Sequence, residues 1–369
     1  MNNYRPTYAD VDLSALRHNV RWLKERAGAG IWFCPMVKAN AYGHGAVAIA
    51  QALSEMKVDA LGVALVEEGL ILRQAGIQVP LLVFSLFSEA AAEACVANNL
   101  TPVLSRQEDL QFFKDKAASD FQVHLKFNTG MNRLGFEVNE AAQVAEFFKN
   151  QSRLKLTGLC SHLVQGEDWS QSFGQSGQQA EALKVAAKFF QGQPILHLLN
   201  SAALLSPASA RGFGVRPGIA VYGGGANGTP LKPVMHLRSE VAMIHKIKAG
   251  QGVSYNSRWR ASQDSVIAVV PLGYGDGFFR LLTNRAQALV RGQRVPLVGT
   301  VCMDYIMLDM TKLAKLTGEI LPKEQVVFWG EQRQARISAD EVAEQAETIA
   351  YELFTAVSPR VPRRYRDGD

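Results

Sequence analysis

Cysteine is scarce and scattered. Cys34, Cys95, Cys160 and Cys302 are the only four in 369 residues and no two form a CxxC pair, so neither a zinc knuckle nor a disulfide framework is expected and no metal site is read. No run of 18 apolar residues occurs, so no membrane-spanning helix is expected. The opening Met1-Asn2-Asn3-Tyr4-Arg5-Pro6 has no apolar export segment. The expected location is the cytoplasm, or the periplasm if a signal peptide has been trimmed. No GxGxxG follows the first apolar run, which counts against a dinucleotide fold. Basic residues crowd only into 359–366, so the net charge of +5 reads as a local excess and nucleic acid is not expected as a partner.

What the chain does have is 47% hydrophobic residues, enough for a full core, and a length that favours two domains. Short apolar runs at 31–37, 60–65, 81–84, 102–104, 121–127, 154–162, 195–199 and 215–221 read as strands, with helical stretches between them. Residues 14–27, with Leu16, Val20 and Leu23 at helical spacing, and residues 46–56 are two of those helices. This alternation predicts an α/β fold whose N-terminal domain, 1–230, is a (β/α)8 TIM-like barrel. Beyond it, runs at 240–247, 265–272, 286–290, 294–298, 305–308 and 326–329 predict a C-terminal mostly-β domain, 231–369, which the first few residues are free to join. A helical pair at 338–346 and 349–357 interrupts that domain, with Ser338 and Glu341 set for a capping box.

Lys38 ends the first apolar run, just before a small, glycine-rich turn. A lysine at the carboxyl end of a buried strand is costly unless its amine is used, and the usual use is an imine to a carbonyl cofactor. Barrel sites lie at the carboxyl ends of strands. There the sequence sets Lys38 with Tyr42, Lys126 with Arg133, Ser161 with His162, His197 with Ser201, and Arg216 with Gly218 and Ile219. Ser201 opens a small-residue helical turn, and Gly218 and Ile219 offer free backbone N–H groups late in the barrel, where phosphate commonly binds. A phosphorylated aldehyde satisfies both ends of this arrangement, and pyridoxal 5'-phosphate is that molecule.

The string Val37-Lys38-Ala39-Asn40-Ala41-Tyr42-Gly43-His44-Gly45 resembles the cofactor-lysine motif of alanine racemases, the fold-type III pyridoxal-phosphate enzymes. The resemblance continues through Asn128-Thr129-Gly130-Met131-Asn132-Arg133-Leu134-Gly135, Asn200-Ser201-Ala202-Ala203 and Val215-Arg216-Pro217-Gly218. It covers the second domain in Val253-Ser254-Tyr255, Gly273-Tyr274-Gly275-Asp276-Gly277, Val301-Cys302-Met303-Asp304 and Tyr351-Glu352-Leu353. The match spans nearly the whole chain in one order.

That resemblance implies roles. Lys38 carries the cofactor and is one acid/base group, and Tyr255 is the other. Arg216 hydrogen-bonds the pyridine nitrogen, with His197 orienting it from behind. Tyr42, Ser201, Gly218, Ile219 and Tyr351 hold the phosphate, while His162 flanks the ring. Arg133 meets the cofactor's phenolic oxygen and the substrate carboxylate, and the Met303 N–H meets that carboxylate too. Lys126 matches a lysine that many family members carry as a carbamate, a negative partner for Arg133. Tyr274 and Arg280 resemble an inner gate. Asn128 stands where the family commonly has Asp, and Asn132 where Gly or His is frequent, which leaves the charge around Arg133 open.

The implied activity is interconversion of L- and D-alanine by two bases on opposite faces of a planar carbanion, in a homodimer whose sites are shared between subunits. A serine or broader racemase of the same family, and a fold-type III decarboxylase, are the competing enzymes. A pyridoxal-phosphate carrier resembles the barrel alone.

Overall fold

The structure, a computed structural model, describes residues 4–114, 117, 120–149, 153–171, 173–208, 210, 212–225 and 228–368. The chain divides into two compact units: Arg17–Ala41 with Ala46–Val221, and Met1–Leu16 with Tyr42–Gly45 and Tyr222–Asp369.

In the first unit, parallel strands Leu61–Val63, Leu81–Val83, Thr101–Leu104, Phe121–Asn128, Leu154–Cys160, Ile195–Leu199 and Gly214–Val215 pair in that order, as the alternation predicts. Residues 31–37 form no regular strand. Pro35 has no N–H to give a ladder, so the segment is held by isolated bridges, Phe33 to Val215 and Met36 to Gly62. Cys34 N–H to the Val215 carbonyl (2.9 Å) and Val37 N–H to the Gly62 carbonyl (2.8 Å) close the ring on both sides. The expected strand at 215–221 stops at Val215, because Pro217 cannot donate, and the chain turns into a 3₁₀ helix, Ile219–Tyr222. Inside the barrel, Cys34, Ala60, Leu82, Val103 and Cys160 pack with Trp32 and Phe84.

The second unit is built on a mostly antiparallel sheet in the order Gln293–Pro296, Gln287–Val290, Gln325–Gln332, Met235–Glu240, Tyr8–Asp12 and Arg363–Arg366. Beside it is a three-stranded sheet, Met243–Ile247, Ser265–Val270 and Ile306–Asp309. The single strand expected at 240–247 is therefore two. Consecutive amides change partner, Val241 N–H bonding to Glu324 and Ala242 N–H to Val269. The capping box is half formed. Ser338 Oγ accepts from Glu341 N–H at 3.0 Å, but the Glu341 carboxylate is bound by Arg294 instead.

The basic segment at 359–366 is not a free excess of charge. Arg366 bridges Asp12 at 2.6 Å and Arg364 lies 3.9 Å over the Tyr8 ring. Arg363 donates to the carbonyls of Gly43, Val357, Ser358 and Val361. Among the described residues no helix is long and apolar enough to cross a membrane.

Candidate active site

Lys38 is followed by four residues in the left-handed region, Ala39, Asn40, Ala41 and Tyr42, with φ of 51°, 54°, 53° and 53°. Each such L-residue costs roughly 1–2 kcal/mol, so something must hold the turn. Glu68 does so, accepting from Ala39 N–H at 2.6 Å while also capping Ala64 and Leu65. Asn40 Oδ1 accepts from Ala46 N–H at 2.8 Å. The Lys38 ammonium is held below the ordinary lysine value, chiefly by desolvation and then by Arg133, with Glu68 opposing and Arg216 assisting.

Lys126 projects from Phe121–Asn128 opposite Cys160 and is buried. It too is held low, by desolvation first and then, against Cys160, by Arg133, Arg216 and Lys38. Four cations thus converge, with no salt bridge to Lys126 among the described residues. His162 joins them as a neutral ring, pushed to about 3 by desolvation and by Arg216.

Arg133 is exposed and lies on a turn organised by Asn128. The Asn128 Oδ1 accepts from Gly130 and Asn132 N–H groups, and its amide donates to Asn132 Oδ1 (3.0 Å) and Glu137 (2.8 Å). An aspartate at 128 would lose both donated bonds and set a carboxylate against Glu137. The departure from the family pattern therefore matches a local partner.

Arg216 is fully enclosed. Its Nη1 donates to His197 Nδ1 (2.9 Å) and the His197 carbonyl (2.6 Å), and its Nη2 to the carbonyls of Ser161 (2.7 Å) and Leu198 (3.4 Å). The guanidinium also sits 5.7 Å from the Phe84 ring centroid. Nε–H is the donor left without a partner among the described residues. Behind His197 stands His124, with Nδ1 2.8 Å from His197 Nε2. The sequence reading did not single out His124, although it shares a strand face with Lys126, two residues on, and that period-2 spacing was the available signal.

Asn200 caps the turn Ser201–Leu205 through Ala203 N–H, fixing Ser201 at its start. Gly218 N–H is not free as expected: it and Ala220 N–H donate to Ser201 Oγ at 2.9 and 3.2 Å. With both lone pairs engaged, the Ser201 hydroxyl is left to donate its proton. Ile219 opens its 3₁₀ turn, which leaves its N–H outside the turn's own bonding. The chemistry of this donor set fits pyridoxal phosphate: a hydroxyl and an amide for a phosphate, an unengaged Nε–H for a ring nitrogen, and clustered cations for anionic groups.

The remaining residues belong to the second unit. Tyr42 packs against Tyr222 and Tyr351, with ring centroids 5.0 and 5.8 Å away. Tyr255 and Met303 are both exposed and line one groove of about 660 Å³, which Cys302 and Ser254 also line. Tyr274 is tied to the same region, its N–H donating to the Cys302 carbonyl at 3.0 Å, and Gly275 N–H to Met303 at 2.9 Å. A Cβ on Gly273 would lie 2.3 Å from the Met303 carbonyl oxygen, so only glycine permits this approach. Arg280 lines a different groove, with Arg258 and Arg285. Each unit gathers its own candidates: Lys38, Lys126, Arg133, His162, His197, Ser201, Arg216, Gly218 and Ile219 in the first, and Tyr42, Tyr255, Tyr274, Arg280, Met303 and Tyr351 in the second.

Comparison with known proteins follows this division. Residues 11–226 match the family model of the alanine racemase N-terminal domain, and residues 234–365 that of the C-terminal domain. Among curated proteins, the alanine racemase of Geobacter sulfurreducens is 38% identical over 98% of this chain and 97% of its own. That of Halothermothrix orenii is 36% identical over the same shares. Among solved structures, alanine racemase from Clostridium difficile 630 superposes with a TM-score of 0.90 at 31% identity, covering 99% of this chain and 97% of that one. Alanine racemase from Bacillus anthracis with bound L-Ala-P gives 0.88 at 32% identity, covering 99% and 96%.

Proposed function

The chain belongs to the alanine racemase family, and from that premise we propose that it interconverts L-alanine and D-alanine with pyridoxal 5'-phosphate, using Lys38 and Tyr255 as its two proton-transfer groups. The observation that carries the reading is Arg216. A guanidinium fixed by four hydrogen bonds, none to a carboxylate, presents an Nε–H that does not surrender its proton.

Bound pyridoxal phosphate supplies a ring that withdraws electrons from the substrate's Cα. Arg216 Nε–H binds the ring nitrogen without protonating it, which limits that withdrawal and favours prompt reprotonation at Cα over side reactions. Ser201 Oγ, Ile219 N–H, Tyr42 and Tyr351 hold the phosphate, with Gly218 bracing Ser201. Arg133 and the Met303 N–H bind the substrate carboxylate, and Lys126 as a carbamate supplies Arg133 with a negative partner. His162 flanks the ring as a neutral imidazole. Lys38, its amine already held low, exchanges the α-proton with D-alanine, and the Tyr255 hydroxyl does so with L-alanine from the other face. Tyr274 and Arg280 gate entry.

Tyr255 and Met303 are exposed on their own unit, which supports a homodimer in which each site draws them from the partner. Domain bounds of 1–230 and 231–369 and a cytoplasmic location belong to the same proposal. Arg216 and Tyr255 argue against a decarboxylase, and the second unit against a carrier.

The test is incubation of holoenzyme with L-alanine in heavy water. Loss of the α-proton together with formation of D-alanine supports the reading. Release of carbon dioxide from ornithine, lysine or diaminopimelate, or no exchange at all, overturns it. Parallel kinetics on serine decide the breadth of the substrate range.

A further inference from the structure

We infer that His124 is a positioning residue for Arg216, acting through His197 to fix the hydrogen-bond pattern that leaves the guanidinium's Nε–H free for the cofactor ring. This deepens the proposed function and rests on it for the identity of the ring.

The assignment follows from donors and acceptors. Arginine has only donors, so the His197 Nδ1 that lies 2.9 Å from Arg216 Nη1 must offer a lone pair. The His197 proton then sits on Nε2. That nitrogen is 2.8 Å from His124 Nδ1, which must in turn accept, so His124 carries its own proton on Nε2. One direction of hydrogen bonding runs from Arg216 to His124, and reversing any member breaks it. Both rings are neutral in keeping with this, His197 being held far below the ordinary histidine value and His124 pushed to about 3, each by burial first and by Arg216 next.

The barrel is shaped to hold the pair. His124 stands opposite Gly158 on the neighbouring strand, and His197 opposite Gly214. A Cβ on Gly158 would lie 2.4 Å from His124 Nδ1, and one on Gly214 would lie 2.9 Å from His197 Cβ. Trp32 closes the remaining side, its ring 6.0 Å from His124 and 4.8 Å from His197. Without His124, the His197 Nε2–H would lose its acceptor, and the ring that accepts from Arg216 would be anchored at one nitrogen instead of two. The same relay uses neutral partners where a carboxylate would have offset the guanidinium charge.

The experiment compares wild type, His124→Leu and His124→Asn, each with ¹⁵N-labelled histidine. Leucine fills the space without accepting, whereas the Asn Oδ1 stands near the former Nδ1 and accepts. Two-bond ¹⁵N–¹H spectra of the cofactor-free proteins report the tautomer of His197. The Nε2–H form, which the donor-only Arg216 imposes, is expected in all three, with the Nε2 resonance shifted in the Leu variant, where its acceptor is gone, and restored in the Asn variant. In holoenzyme, the Leu variant is expected to shift the absorption of bound pyridoxal phosphate and to lower kcat about tenfold with little change in KM, the scale on which outer-shell partners act, with Asn restoring both. An Nδ1–H tautomer for His197 in wild type, or His197 nitrogen shifts unchanged by Leu, overturns the relay. So does equal loss in both variants with the tautomer intact, which would mark His124 as packing alone. A protein that takes up no pyridoxal phosphate overturns the proposed function, while the nitrogen spectra still decide the relay.

Discussion

Asp276, with no side-chain exposure, is gripped by both terminal nitrogens of Arg5 at 2.7 and 2.9 Å. Its Oδ2 also accepts from Gly273 N–H, while Arg360, 3.5 Å away, reaches on to Asp304 at 2.6 Å. One buried carboxylate thereby fastens the turn bearing Tyr274 to the segment bearing Met303.

Replacing Asp276 by Ala should cost about 1–3 kcal/mol, because the buried Gly273 N–H loses its acceptor and two part-exposed guanidinium groups lose a shared carboxylate. Urea unfolding measures the loss. Arg5→Ala, which leaves Arg360 in place, should cost less and chiefly raise KM, through a loosened Tyr274 turn. Equal stability of the two variants would show that the carboxylate is not the hub.

Lys38→Ala should abolish the visible absorption of the purified holoenzyme and the borohydride-fixed attachment of the cofactor. Racemisation should fall by ~10²-fold or more, the least expected from loss of an acid/base group. A retained reducible bond would move the attachment to another lysine.

Arg216→Glu places a carboxyl group where the guanidinium meets the ring. Protonation of the ring nitrogen is then favoured, so racemisation should fall and transamination rise. Unchanged spectra with an unchanged ratio of the two reactions would remove Arg216 from that contact.

The depressed Lys126 gives a pH test with a definite sign. Burial lowers its folded-state value beneath that of the unfolded chain, so between the two values the unfolded chain binds more protons and stability rises with pH. Lys126→Met should therefore stabilise the cofactor-free protein at pH 7, the gain shrinking as pH climbs toward the ordinary lysine value of ~10.4. Added bicarbonate should stabilise wild type and not the variant if a carbamate forms. A difference that is flat in pH would mean that Lys126 binds its proton as readily in the folded protein as in the unfolded chain.

Shared sites make a stoichiometric claim. Mixing Lys38→Ala with Tyr255→Ala subunits gives heterodimers as about half of all dimers, each with one intact site of two, so activity should recover to roughly a quarter of wild type. A flat result after verified exchange would put both bases in one chain.

Much of this was legible in the sequence, because strand ends and their residues are local features. The barrel strands from 60 to 199 fall within a few residues of their apolar runs, since period and turn chemistry act over short stretches. The expectation failed where a distant partner decides. Val241 and Ala242 belong to different sheets through Glu324 and Val269, and nothing in their neighbourhood encodes that parting. The basic segment looked like surplus charge because Asp10, Asp12 and Tyr8, which absorb it, lie some 350 residues away in sequence. Lys38 was legible, but the left-handed turn after it was not: three of its four residues are Ala and Tyr, which seldom take that conformation, and it is Glu68 that holds it open.

The strand Tyr8–Asp12 lies between Met235–Glu240 and Arg363–Arg366. During synthesis it therefore emerges long before either neighbour exists. At roughly 5–20 residues per second it waits on the order of ten to forty seconds for the first and longer for the second. The units of the barrel can meet as they appear, whereas this strand spends that interval with both edges bare. Its alternation of Asp10 and Asp12 with buried Ala9 and Val11 has a temporal value as well as a structural one: carboxylates discourage pairing with a stranger until arginine and histidine partners arrive to claim the edges.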